Sequence, residues 1–163
     1  IHAAEAPLDG PPLVADGTLL VPLQGGKVVL LDAKTGEARD TSYLDPDGQR
    51  VVLLLEADGS ALYVANHTGV VRALDPVSLR PLWKAEHKRP AQGRPRMARF
   101  RDRLVLGFDA PHVVALEAST GRLVWQGRFP ESAGKAVAIS AFDEHLFVTT
   151  NKNYLHFFDA NDH

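Results

Sequence analysis

Four acidic residues set the rhythm of this chain. Asp32, Asp75, Glu117 and Asp159 stand 43, 42 and 42 residues apart, and the residues leading up to each align without a gap. They read TLLVPLQGGKVVLLD (18–32), ALYVANHTGVVRALD (61–75), RLVLGFDAPHVVALE (103–117) and HLFVTTNKNYLHFFD (145–159). Every copy has an apolar, β-branched or aromatic run, a polar turn, and a second such run ending in the acid. That is a strand–turn–strand hairpin written four times. The runs at 28–31 and 113–116 are apolar at consecutive positions, which marks strands covered on both faces.

A second turn follows the acid: AKTGE after Asp32, PVSLR after Asp75 and ASTGR after Glu117. Gly36 and Gly121 share one offset within it, where a left-handed backbone suits glycine. A further strand follows, carrying Trp83 and Trp125 eight residues after their acids, whereas Asp40 holds that offset in the first copy. Upstream of each hairpin lies one more candidate strand, at 13–15, 50–56, 96–101 and 136–142. Four strands in about 42 residues, repeated, predict an all-β fold, a β-propeller of four-stranded antiparallel blades. The expected blades run from about 12 to 44, 50 to 87, 95 to 129 and 136 to 163. The last lacks its outer strand.

The phrases LYVANHTGVVRALD with Trp83, and VVALEASTGRLVW, resemble the repeat of the pyrroloquinoline-quinone-like β-propeller superfamily. The resemblance implies tryptophans docked between neighbouring blades, and an acid and glycine that shape the turn between the third and fourth strands. Asp32, Gly36, Asp75, Trp83, Glu117, Gly121, Trp125 and Asp159 are therefore expected to build blades. Members of the superfamily usually carry seven or eight blades. It includes quinoprotein dehydrogenases, an outer-membrane assembly lipoprotein of the periplasm and ectodomains of bacterial receptor kinases. The four blades here are accordingly expected to be part of a seven- or eight-bladed ring, completed by further polypeptide or by a second chain. Closure within the chain would require residues 1–8, IHAAEAPL, to supply the missing outer strand, and their composition suits a strand poorly.

Composition removes several classes of function. The 163 residues contain no cysteine, which excludes disulfides, thiolate metal sites and cysteine nucleophiles. A net charge of −2 gives no general attraction to nucleic acid or anionic membrane. No apolar run approaches the roughly 20 residues of a membrane-spanning helix. Nucleophile elbows, phosphate-binding loops and zinc-protease motifs are absent. The nearest approach to a calcium loop, Asp45-Pro46-Asp47-Gly48, lacks the later bidentate acid and reads as a turn. No metal, cofactor or catalytic residue is expected.

The residues left for function lie in the turns that do not repeat. His67, Asp109, His112, Asn151 and Lys152 occupy second-to-third-strand turns, which share one rim of a propeller, and His67 and His112 belong to neighbouring blades. Residues 84–103 hold 8 of the 18 lysines and arginines. Among them Arg94, Arg96 and Arg99 suit a carboxylate, a phosphate or an acidic protein surface. The same residues suit a merely solvated loop, and composition leaves both open. Asn66-His67-Thr68 matches a glycosylation sequon.

The expected function is a non-enzymatic scaffold or binding module that presents a rim to a protein or ligand. The resemblance places it in an exported, periplasmic or extracellular protein. Two alternatives follow from the same resemblance: a segment of a quinone-dependent dehydrogenase whose catalytic residues lie in other blades, and the sensory ectodomain of a receptor kinase.

Overall fold

The computed structural model describes residues 6–44, 51–57, 59–87 and 95–159. Asp45–Gly48, the 88–94 stretch with Arg94, residues 1–5 and residues 160–163 lie outside the described residues. Four antiparallel sheets follow one another along the chain. The first holds β1 (Leu13–Ala15), β2 (Thr18–Leu23), β3 (Lys27–Asp32) and β4 (Ala38–Tyr43). The second holds β5 (Val51–Ala57), β6 (Ala61–Asn66), β7 (Val70–Leu74) and β8 (Pro81–Glu86). The third holds β9 (Arg96–Phe100), β10 (Arg103–Gly107), β11 (His112–Glu117) and β12 (Leu123–Arg128). The fourth has three strands, β13 (Ala136–Phe142), β14 (His145–Thr150) and β15 (Leu155–Asp159). A short 3-10 turn, Glu131–Ala133, leads into it.

Within each sheet the strands pair in chain order, and the first strands β1, β5, β9 and β13 adjoin one another in series. Each sheet is therefore a blade with its first strand innermost, and the four make a partial propeller. In blades 1 to 3 the third and fourth strands shift register once, just before the acid, at Leu30/Leu31, Ala73/Leu74 and Ala115/Leu116. A bulge repeated at one offset adds local twist to each outer strand.

The cores lie between blades. Leu20, Val28 and Leu44 meet Leu62, Val64 and Leu74 across the first seam. Tyr63, Val71 and Ala73 meet Leu104, Leu106 and Leu116 across the second. Val105, Val113 and Ala115 meet Leu146 and Val148 across the third. This explains the unbroken apolar runs: every residue of β6 is buried, because blade 2 has a neighbour on each side. The outer strands β8 and β12 alternate between exposed and half-buried, as one-sided strands do.

The acid turns are built alike. Asp32 N–H donates to Glu37 O and Gly36 N–H to Asp32 O, each at 2.8 Å, and the corresponding bonds Glu117–Arg122 and Gly121–Glu117 are also 2.8 Å. Asp32 Oδ1 accepts from the amides of Lys34 and Thr35, and Asp75 Oδ1 from those of Val77 and Ser78. The longer Glu117 instead accepts from the Thr120 hydroxyl. These amides, with Arg39 beside them, hold the Asp32 carboxyl down at about 2. The Ser78 amide and hydroxyl lower Asp75, and the Thr120 hydroxyl, followed by Arg122, lowers Glu117.

Blades 1 and 4 each keep one face without a neighbouring blade among the described residues. On blade 4, Phe142, Leu155 and Phe157 are 76%, 64% and 57% exposed. On blade 1, Val14 is exposed while Ala15, its neighbour on the opposite face, is buried. Residues 7–9 run along β2: Gln24 N–H donates to Pro7 O and Asp9 N–H to Pro22 O, with a bridge between Leu8 and Leu23. The described part of residues 1–8 thus extends blade 1 and does not supply a fourth strand to blade 4.

Candidate interaction site on the rim between blades 3 and 4

Three turns converge at one rim: residues 108–111 between β10 and β11, residues 129–135 between β12 and β13, and residues 151–154 between β14 and β15. Two buried rings, Phe108 and Phe129, anchor the first two, and Phe129 N–H donates to Pro111 O at 2.7 Å. The second and third are clasped reciprocally. Lys135 N–H donates to Asn151 Oδ1 at 3.0 Å and Asn151 N–H to Lys135 O at 3.1 Å. Gly134 makes this approach possible. Its φ is +80°, and a Cβ there would fall 2.8 Å from Lys152 Cγ and closer still to Asn151 Oδ1. The Lys135 ammonium meets Asp109 Oδ2 at 3.2 Å and Arg128 meets Glu131 at 3.2 Å, both at the surface.

Together these turns enclose a cleft of about 440 Å³ lined by Asp109, Arg128, Glu131, Lys135, Asn151 and Lys152. A smaller hollow of about 290 Å³ adjoins it, sharing Pro111 and Arg128 and adding His112 and Gln126. Three cations and two carboxylates line the larger cleft, so it carries one net positive charge. Such pairs at the surface contribute only about 0–1 kcal/mol each to stability, leaving their charge available to a partner.

The structure thus gathers Asp109, Asn151 and Lys152 into one cleft with His112 beside it. His67 lies in the turn of blade 2, apart from this cleft. The ring contacts of His112 are with His87, at 5.6 Å between centroids, and with Phe108, at 6.3 Å. His87 was not legible as a partner because its place depends on the seam between blades 2 and 3. Arg96 and Arg99 lie within β9, and an odd spacing along a strand puts them on opposite faces. Arg96 Nε donates to Val137 O of blade 4 at 2.7 Å. Arg99 donates to Arg101 O and, at 3.4 Å, to the Tyr63 hydroxyl of blade 2. Each serves a different seam, and Arg94 lies outside the described residues.

Arg128, Glu131 and Lys135 of the cleft escaped the sequence pattern because they fall in a link and at a strand end with no repeated counterpart. Asn66, the sequon asparagine, is 3% exposed. Its Oδ1 accepts from the Thr68 amide and hydroxyl and from the Val70 amide, so it holds the turn together. Among the described residues, no group of three or more histidine, aspartate or glutamate side chains is placed to hold a metal ion.

The family model of the outer membrane protein assembly factor BamB matches residues 67–163, more than half of the chain. The chain belongs to the BamB family of PQQ-like propellers. Solved structures share the fold. BamB from Moraxella catarrhalis superposes with a TM-score of 0.73 at 23% identity, over 97% of this chain and 48% of that one. The computationally designed Ika4 protein gives 0.80 at 12% identity, over 98% of this chain and 94% of that one. The WD40 propeller domain of Doa1 gives 0.79 at 15% identity, over 96% and 52%. This BamB-family chain therefore spans about half the length of the Moraxella catarrhalis BamB structure it matches. No curated protein matches it in sequence. None of the described helices is long and apolar enough to cross a membrane.

Proposed function

We propose that this BamB-family propeller is a non-enzymatic interaction module of the cell envelope, and that the rim between blades 3 and 4 receives an acidic segment of a protein partner in outer-membrane protein assembly. The cleft carries the reading: three turns from two blades are locked by buried rings and reciprocal hydrogen bonds around a net positive charge. A rigid scaffold that presents mixed charge at a rim lowers the ordering cost of binding. Family membership supports the setting, periplasmic in an organism with an outer membrane. Arg128 and Lys152 are exposed and belong to no core, so reversing their charge tests binding without disturbing the fold.

The experiment is recovery of the outer-membrane protein assembly machinery from solubilised envelopes by the immobilised protein and by its Arg128→Glu/Lys152→Glu variant. Recovery is expected to fall at least about tenfold, as for loss of paired charge contacts, and to recover in part at low salt. Undiminished recovery with an unchanged melting temperature would refute the assignment of this rim.

A further inference from the structure

We infer that the turn Asp32–Glu37 of blade 1 is a seat for a tryptophan presented by the outer strand of another PQQ-like blade, on the face turned away from blade 2. The second seam shows what such a seat does. Trp83 of blade 2 reaches the acid turn of blade 3, where its Nε1 donates to Ala118 O at 2.9 Å and the Tyr63 hydroxyl donates to the same oxygen at 3.1 Å. The indole lies on Gly121. A Cβ there would come within 2.8 Å of Cζ3 and 2.9 Å of Cδ2. The glycine serves two needs at once, a φ of +73° and a bare surface for the ring.

The turn of blade 1 repeats this seat bond for bond. Gly36 has φ +75°, and Ala33 N–H donates to Gly17 O at 3.0 Å as Ala118 N–H does to Asp102 O at 2.8 Å. Only the cover differs: Ala118 and Gly121 are buried under Trp83, whereas Ala33 is exposed and Gly36 half-exposed. The first seam supplies the control. Blade 1 carries Asp40 at the tryptophan offset, and the facing turn of blade 2 has Leu79 in place of glycine, at φ +55°. Leu79 packs its own side chain against that core. This turn therefore accepts a side chain where no indole arrives, and is glycine where one does. Gly36 follows the second pattern. The occupant is a blade with a tryptophan eight residues after its turn acid, joined to blade 1 as blade 2 is to blade 3. This inference concerns a seam face and stands independently of the rim.

The probe is the hairpin of residues 70–87, VVRALDPVSLRPLWKAEH, added in solution and also tethered to the full chain through a flexible Gly/Ser linker, which raises its effective concentration to the millimolar range. The tethered form decides where the free one does not saturate. The expected result is perturbation of the Ala33–Gly36 amide resonances and a blue shift of the added indole. Its W83A version and a Gly36→Leu chain should each weaken binding about tenfold or more. Leu79 shows that this turn folds with leucine, so the second variant remains a test of the seat. Equal perturbation by the W83A hairpin, perturbation confined to the β15 edge, or none with the tethered form would overturn the inference.

Discussion

Substituting Gly121 by alanine should cost far more than the same change at Gly36, although both glycines sit in the same turn with nearly equal φ. Alanine in the left-handed region costs roughly 1–2 kcal/mol at either position. At Gly36 that is the whole effect. At Gly121 the new methyl would stand 2.8 Å from Trp83 Cζ3 and 2.9 Å from Cδ2, well inside the about 3.5–4.0 Å of an ordinary carbon–carbon contact. The ring cannot retreat freely. Its Nε1 is bonded to Ala118 O, and its face lies 5.9 Å from the Tyr63 ring. Displacing it forfeits about 1 kcal/mol of hydrogen bond and adds an overpacking cost of about 1–3 kcal/mol. The total at Gly121 is then roughly 3–5 kcal/mol. Urea unfolding followed by far-ultraviolet circular dichroism measures both variants. In a Trp83→Ala background the Gly121→Ala cost should shrink to about 1–2 kcal/mol, because the clash has no partner left. Equal losses at the two glycines, or a cost at Gly121 unchanged by Trp83→Ala, would refute the reasoning.

Acid should weaken the first blade turn in a defined window. The amides of Thr35 and Lys34, with Arg39, lower the Asp32 carboxyl from 3.8 to about 2. Its contribution is thus complete above the ordinary value and lost as pH falls through about 2. Asp32→Asn should flatten the melting temperature against pH between 3.8 and about 2, and an unchanged slope there would contradict the assignment. Asn66→Ala should cost about 2 kcal/mol by leaving the Thr68 and Val70 amides unmet in a buried turn. Thermal unfolding checks this, and a loss under half a kilocalorie would mean the turn is held by other means.

The repeat determined the blade. Strand positions, hairpin turns and the structural role of the acids follow from periodicity, because the pattern of apolar residues reports which faces a strand must bury. Asp32, Asp75 and Glu117 look like ligand positions when read singly, but in series they read as turn residues, and their carboxylates do hold their turns. Candidate site residues were legible only in part. Asp109, Asn151 and Lys152 stood out as departures from the repeat, while Arg128, Glu131 and Lys135 come from a link and a strand end that no repeat sets in register.

What the sequence could not decide was which blade a side chain serves. Arg96 and Arg99 look like one basic cluster, yet the two-residue period of a strand sends them to opposite seams. Trp83 and Gly121 are 38 positions apart and meet only because blade 2 packs on blade 3. A strand fixes which residues share its face through local backbone geometry alone, whereas what that face touches depends on how one sheet stacks on the next. The sequence by itself therefore determined the blades and their turns. The tertiary structure decided the seams, the rim cleft and the partnership of indole with glycine, because each is made of side chains from different blades.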